Sequence, residues 1–238
     1  MSIEYIAYYS IDPQILLPLP VVDGFAQAVL QSPKLRSLTF IASPGQEHIL
    51  DNILDKCRAS NIILPLRYLS IFRILSPLPL IPHVENLTSI DIVDVTTEDD
   101  YSVTSFNQLW RAISQKGARL EWIHVDRVPP TLVDYLITYR GLKSFTLANS
   151  QTPADNLLSN DVDAERFYFE VIPMHCATMR TLDVRLKFIR KWCFSSRLAS
   201  VLAQCAALER LALGFSSENG APIVRDTLSF DVPDTLSY

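Results

Sequence analysis

The chain has 238 residues, 48% of them hydrophobic and 20% charged, with a formal net charge of −5. That composition supplies a substantial core, excludes a disordered chain and gives no bulk attraction to nucleic acid. The start, Met-Ser-Ile-Glu-Tyr, has neither a basic segment nor a cleavable apolar run, so a cytoplasmic or nuclear protein is expected. Cys57, Cys176, Cys193 and Cys205 form no CxxC pair and no zinc spacing with His48, His83, His124 or His175, so no metal or cofactor is expected.

In chain order, one hexad recurs eight times: apolar, any, any, apolar, any, apolar. The copies are Ile3–Tyr8, Leu35–Phe40, Leu66–Ile71, Leu87–Ile92, Leu120–Val125, Leu142–Leu147, Met179–Val184 and Leu208–Leu213. The third and fifth places hold Ser37, Thr39, Tyr68, Ser70, Ser89, Asp91, Trp122, His124, Ser144, Thr146, Thr181, Asp183, Arg210 and a few others, and never Leu, Ile, Val, Phe or Met. Each hexad reads as a strand with one apolar face.

Helical spacing fills the intervals. Leu50, Ile53, Leu54 and Cys57 stand at i, i+3, i+4 and i+7, as do Phe106, Leu109, Trp110 and Ile113, and Leu198, Val201, Leu202 and Cys205. Ser105 with Gln108 reads as a capping box, and Thr131 as the N-cap of a helix over Leu132–Tyr139. Tyr168, Val171, Ile172 and His175 keep the same spacing, with His175 expected as a satisfied residue near a helix end. The apolar stretch 61–82 contains Arg67, Arg73 and four prolines, so it reads as a buried strand with proline-rich flanks and not as a membrane span.

Strand alternating with helix admits a doubly wound sheet, a closed (β/α)₈ barrel or a leucine-rich-repeat solenoid. Sheets covered on both faces, and barrel strands, read as nearly continuous apolar runs. Here one face is polar, and burying Ser and Asp without partners would cost roughly 1–3 kcal/mol each. Nor is there a GxGxxG or GxxxxGK[ST] turn among the six glycines. The expected fold is therefore an α/β leucine-rich-repeat solenoid, a horseshoe arc with parallel strands on its concave face and helices outside, spanning 1–238 as a single domain.

Cys-Ala-Ala-Leu-Glu-Arg-Leu-Ala-Leu (Cys205–Leu213) and Cys-Ala-Thr-Met-Arg-Thr-Leu-Asp-Val (Cys176–Val184) resemble leucine-rich repeats of the ribonuclease-inhibitor-like kind. Phe167–Val184, with Ile172-Pro173-Met174-His175, resembles the degenerate repeats of fungal F-box-type proteins. The first resemblance implies a protein-binding solenoid; the second implies recruitment of a substrate to a ubiquitin ligase. Two features depart from the pattern. The closing Asn or Cys of the standard repeat is replaced by Ser43, Ile74, Val95, Val128, Ser150, Lys187 and Ser216, and Leu17-Pro18-Leu19-Pro20 does not continue as an F-box. The first hexad begins at residue 3, and Ser217–Tyr238 supplies no ninth, so a fragment lacking terminal caps, or an edge that pairs with another chain, is expected.

The concave face of a solenoid is its usual docking surface. Tyr68, Phe72, Asp91, Trp122, His124, Asp126, Asp183 and Arg185 are the expected protein-binding residues, Trp122 foremost. An acidic stretch (Asp91, Asp94, Glu98, Asp99, Asp100) and a basic one (Arg180, Arg185, Lys187, Arg190, Lys191, with Phe188 and Trp192) flank them. The basic stretch has the composition of a single-strand nucleic-acid contact, but the negative net charge favours a protein partner. No nucleophile turn is present, so a non-enzymatic recognition scaffold is expected, with no small-molecule substrate. The rival is a barrel enzyme using Asp12, Asp94, Asp126 and Asn149 beyond the strand ends.

Overall fold

In a computed structural model, the described residues are 2–6, 19–41, 48–72, 76–93, 100–147, 161–184 and 191–214. The fold is α/β, with parallel strands alternating with helical segments, and it divides into two compact units, Met1–Leu120 and Glu121–Tyr238. The first unit holds β1 (Ser2–Ile6), α1 (Leu19–Leu30), β2 (Ser37–Ile41), α2 (His48–Ala59), β3 (Tyr68–Phe72), a 3₁₀ helix (Leu78–His83), β4 (Ser89–Val93) and α3 (Asp100–Gln115). The second holds β5 (Trp122–Val125), α4 (Pro130–Leu136), β6 (Ser144–Leu147), α5 (Asp161–Arg166), a π turn (Phe167–Val171), α6 (Ile172–His175), β7 (Thr181–Val184), α7 (Ser196–Leu202) and β8 (Arg210–Leu213). Within each unit, every strand pairs in parallel with the next one in sequence. No described helix is long and apolar enough to cross a membrane.

The hexads form the core as the period-2 pattern requires. From the second hexad to the seventh, every apolar place is 3% exposed or less, and in the eighth Leu213 is buried while Leu208 and Leu211 are half-buried. The helical faces close over them: Ile49, Leu50, Ile53, Leu54 and Cys57 of α2 are all buried, as are Phe106, Leu109, Trp110 and Ile113 of α3. The first hexad departs from the frame. Ile3 pairs with Leu38 and Tyr5 with Phe40, three residues off the register of the other copies. Ile3–Tyr8 offers two apolar pairs at strand spacing, Ile3/Tyr5 and Ile6/Tyr8, and β1 uses the earlier. Tyr5 therefore takes the register position of a core residue instead of the polar third place.

Helix ends are set by backbone chemistry more than by the expected side-chain caps. α3 begins at Asp100, which leaves Ser105 inside the helix and buried, so it is not an N-cap. α4 is capped by Pro129 without a side-chain bond, and Pro130 at the first turn needs no partner for an N–H it lacks; Thr131 is already helical. A side-chain cap does form at Ser195, whose Oγ accepts from Leu198 N at 3.3 Å. Two helices end alike. Asn61 (φ 53°) lets Ile62 N reach Cys57 O at 2.8 Å and Asn61 N reach Arg58 O at 3.0 Å. Gly117 (φ 68°) repeats this, with Ala118 N on Ile113 O and Gly117 N on Ser114 O. In both places the left-handed residue satisfies two orphan carbonyls and turns the chain toward the next hexad.

The π turn has a local cause. Pro173 cannot donate, so the carbonyl four residues back would lose its helical partner and meet the ring. The helix widens ahead of it, and Ile172 N donates to Phe167 O, five residues back. Phe167, Tyr168, Val171, Ile172 and His175 still face inward. Phe167 stacks 4.4 Å from Phe145 of β6, and Trp192 lies 5.5 Å from Phe167 and 5.7 Å from Tyr168. The Tyr168 hydroxyl donates to Trp192 O at 2.6 Å, which satisfies its one buried polar group.

His175 is fully buried at the end of α6. Its Nδ1 accepts from Leu142 N at 3.2 Å, so the proton sits on Nε2, which donates to Leu136 O at 3.0 Å. One neutral ring thus satisfies two backbone groups between α4 and β6. His83 stands likewise four residues before its hexad and accepts from Leu64 N at 3.0 Å. Burial lowers both imidazoles below their ordinary value, and Arg140 lowers His175 further against the opposing bond to Leu136.

The His175 ring holds both backbone bonds only while it is neutral. Below about pH 6.5 the unfolded chain takes up a proton that the folded ring resists, so the stabilisation is full above that pH and falls as pH falls. His175→Leu leaves Leu142 N and Leu136 O unpaired at roughly 1–3 kcal/mol each. Urea unfolding at pH 7.5 is expected to show a loss of about 2–5 kcal/mol, and the gap from wild type is expected to narrow by pH 5.5. A gap that is equal or wider at pH 5.5 would refute the neutral-ring assignment.

Candidate protein-binding face

From the second hexad on, strand alternation places the third and fifth residues on the face opposite the core, and parallel register aligns them into rows. In the first unit the rows are Ser37–Tyr68–Ser89 and Thr39–Ser70–Asp91, followed by Ile41–Phe72–Val93. In the second they are Trp122–Ser144–Thr181–Arg210 and His124–Thr146–Asp183–Ala212. Trp122 is 48% exposed and Tyr68 36%, and both are among the exposed large hydrophobic residues of the molecule. Arg210 is exposed, while Ser37, Thr39, Ser70, Asp91, His124, Thr146 and Thr181 are half-buried. The face is open enough to hold large aromatics in water and shallow enough to shelter small polar groups.

Polar groups on this face bond to one another across strands. Ser70 Oγ donates to Asp91 Oδ2 at 2.9 Å. Arg210 Nη2 lies 3.5 Å from Asp183 Oδ2. Asp183 is buried, and so is Asp126, whose carboxylate meets Arg127 Nε at 3.2 Å. A carboxylate 3% exposed presents little surface to a partner, so these two hold neighbouring side chains in place. Asp126 also lies beyond the end of β5, outside the rows.

Of the expected docking residues, Tyr68, Phe72 and Asp91 share the polar face of the first unit, and Trp122, His124 and Asp183 that of the second. Arg185 lies outside the described residues, as do Asp12, Asp94 and Asn149 of the barrel alternative. Among the basic-aromatic residues, Lys187, Phe188 and Arg190 also lie outside them. Trp192 is 3% exposed and packed into the aromatic core, so its ring does not offer a stacking surface. Arg180 pairs with Glu209 at 3.4 Å and Lys191 with Glu165 at 3.0 Å.

Arg210 was not among the expected site residues, although its place in the third slot of the eighth hexad puts it in the row that begins at Trp122. The second slots also carry a pattern that residue-by-residue reading passes over. Glu121 and Lys143 pair at 2.8 Å, and Arg180 pairs with Glu209 in the same column, so opposite charges in matching slots of successive hexads were the signal. These ion pairs are solvent-exposed and contribute roughly 0–1 kcal/mol each. Their effect is to line the border of the second unit's face with paired charges of both signs. Among the described residues, no cluster of three or more His, Cys, Asp or Glu could hold a metal.

The chain matches no family model, no curated protein and no solved structure.

The two classes of aromatic separate by stability. Trp122→Ala removes a ring that is half in water and is expected to change the unfolding free energy by less than about 1 kcal/mol. Phe145→Ala, in the adjacent strand but fully buried, is expected to cost about 3–5 kcal/mol. Equal losses in chemical denaturation would mean that Trp122 is a core residue.

Proposed function

We propose that this chain is a non-enzymatic protein-recognition scaffold built as a leucine-rich-repeat solenoid, with the polar-aromatic rows as its docking surface. The observation that carries this reading is the row Trp122–Ser144–Thr181–Arg210, in which an exposed indole and an exposed guanidinium flank hydroxyl groups in strict register. Trp and Arg are among the side chains that most often anchor protein interfaces, Trp through a large ring with few torsions to lose and Arg through a planar guanidinium with five donors. The partner is a protein surface with an apolar side chain for Trp122 and acceptor groups for Arg210 and Thr181. Sequential parallel order within each unit, with apolar places on one face and polar places on the other, supports a solenoid over a doubly wound sheet, which reverses strand order and covers both faces. The resemblance to fungal F-box-type repeat proteins adds the fate of the partner: presentation to a ubiquitin ligase.

Two measurements test this reading. Small-angle scattering of the full chain is expected to fit an open arc; a closed ring would favour the (β/α)₈ enzyme. Affinity capture from the native source is expected to yield a protein whose retention falls at least about tenfold with Trp122→Ala or Arg210→Ala, the loss typical of an interface anchor. Val162→Ser, exposed on α5, serves as the control and retains the partner. A partner indifferent to both face variants would overturn the docking assignment.

A further inference from the structure

Cys176 and Cys205 occupy the same place in successive repeats, three residues before the first apolar slot of the seventh and eighth hexads. Each thiol bonds back to the carbonyl four residues earlier, Cys176 Sγ to Ile172 O at 3.3 Å and Cys205 Sγ to Val201 O at 3.7 Å. These parallel anchors bring the two sulfurs within 3.2 Å of each other, where the Cys205 thiol can donate to Cys176 Sγ. Neither is in a disulfide. Cys205 is buried and Cys176 half-buried, so a small oxidant meets Cys176 first. Burial and the neighbouring Cys176 hold the Cys205 thiol well above its ordinary value, which suits it to donating a hydrogen bond and not to losing its proton first.

We propose that Cys176 and Cys205 are a peroxide-sensitive dithiol site that closes into a reversible disulfide between the ends of α6 and α7. The Cys176 thiolate attacks one oxygen of a hydroperoxide, the O–O bond breaks, and the displaced oxygen leaves as hydroxide, giving Cys176 sulfenic acid. Cys205 sulfur then displaces hydroxide from the Cys176 sulfur, losing its own proton as the S–S bond forms. In sum, two thiols lose two electrons and two protons, and hydrogen peroxide becomes two waters. The sulfurs need to close by roughly 1.2 Å to reach a bond of about 2.05 Å. A thiol reductant reverses the bond by exchange. The link joins residues 29 apart in sequence and limits the unfolded chain.

The test uses the full native chain, treated with hydrogen peroxide, alkylated, digested with trypsin and read by mass spectrometry. Cys176 and Cys205 fall in separate peptides, 167–180 and 198–210, with Cys193 in a third, 192–197. The expected result is a 176–205 link at least tenfold above every other pairing, abolished by reductant and lost to a statistical mixture when oxidation is done in guanidinium. The oxidised chain is expected to melt roughly 5–10 °C higher than the reduced one. Cys57→Ser/Cys193→Ser is expected to retain the link, and dimedone is expected to label Cys176 in Cys205→Ser. Native thiols that stay alkylatable at peroxide levels that oxidise the unfolded chain, or a link to Cys193 of equal yield, would overturn the proposal.

Discussion

From the second hexad on, and within each unit, successive repeats share a main-chain contact at the strand entrance: the carbonyl of a second slot accepts from two amides of the following hexad. Arg36 O accepts from Arg67 N and Tyr68 N, Arg67 O from Thr88 N and Ser89 N, and Glu121 O from Lys143 N and Ser144 N. Lys143 O and Arg180 O continue the series. Lengths of 2.7–3.0 Å make these well-formed bonds. Because parallel pairing fixes residue against residue, this forked contact at the strand entrance sets the register of everything that follows. A slip of one residue would turn every apolar slot outward, at roughly 1.5–3 kcal/mol for each large side chain exposed. The rows of the polar face exist because that slip is forbidden.

Between the strands, the chain faces a backbone problem that the hexads do not solve. Turning from helix to strand inside a packed layer leaves carbonyls and amides in need of partners. Asn61 and Gly117 solve it with a left-handed residue, and His175 solves it with a ring that both accepts and donates. Side-chain hydroxyls contribute as well, with Thr178 Oγ1 donating to Leu142 O at 2.9 Å. The joints are therefore chemically diverse where the strands are uniform. Their length varies accordingly, and that is consistent with the uneven spacing of the hexads.

The third and fifth places of the hexads owe their character to what is absent from them. Large aliphatic side chains there would be drawn to a second layer of helix, as in a doubly wound sheet. With Ser, Thr and Asp instead, cross-strand hydrogen bonds such as Ser70 to Asp91 satisfy the small groups. The Trp122 and Tyr68 rings remain accessible. Accessible aromatics beside satisfied polar groups suit reversible recognition, since little must be desolvated without compensation.

From the second hexad on, the sequence by itself determined the strands, their apolar face and their polar face, because the repeated period-2 pattern admits one burial solution for each of those strands. It also placed His175 at a helix end and the two thiols at matching positions. Only the tertiary structure decided which polar residues reach solvent. Asp183 carries the same signal as Asp91, yet its carboxylate is buried beside Arg210, and burial depends on neighbours that no single hexad encodes. Trp192, read beside basic residues as a surface aromatic, joined the core because Phe167 and Tyr168 met it across the π turn. The register of β1 was hidden for the same reason. Two local solutions were nearly equivalent in sequence, and contacts distant along the chain selected one.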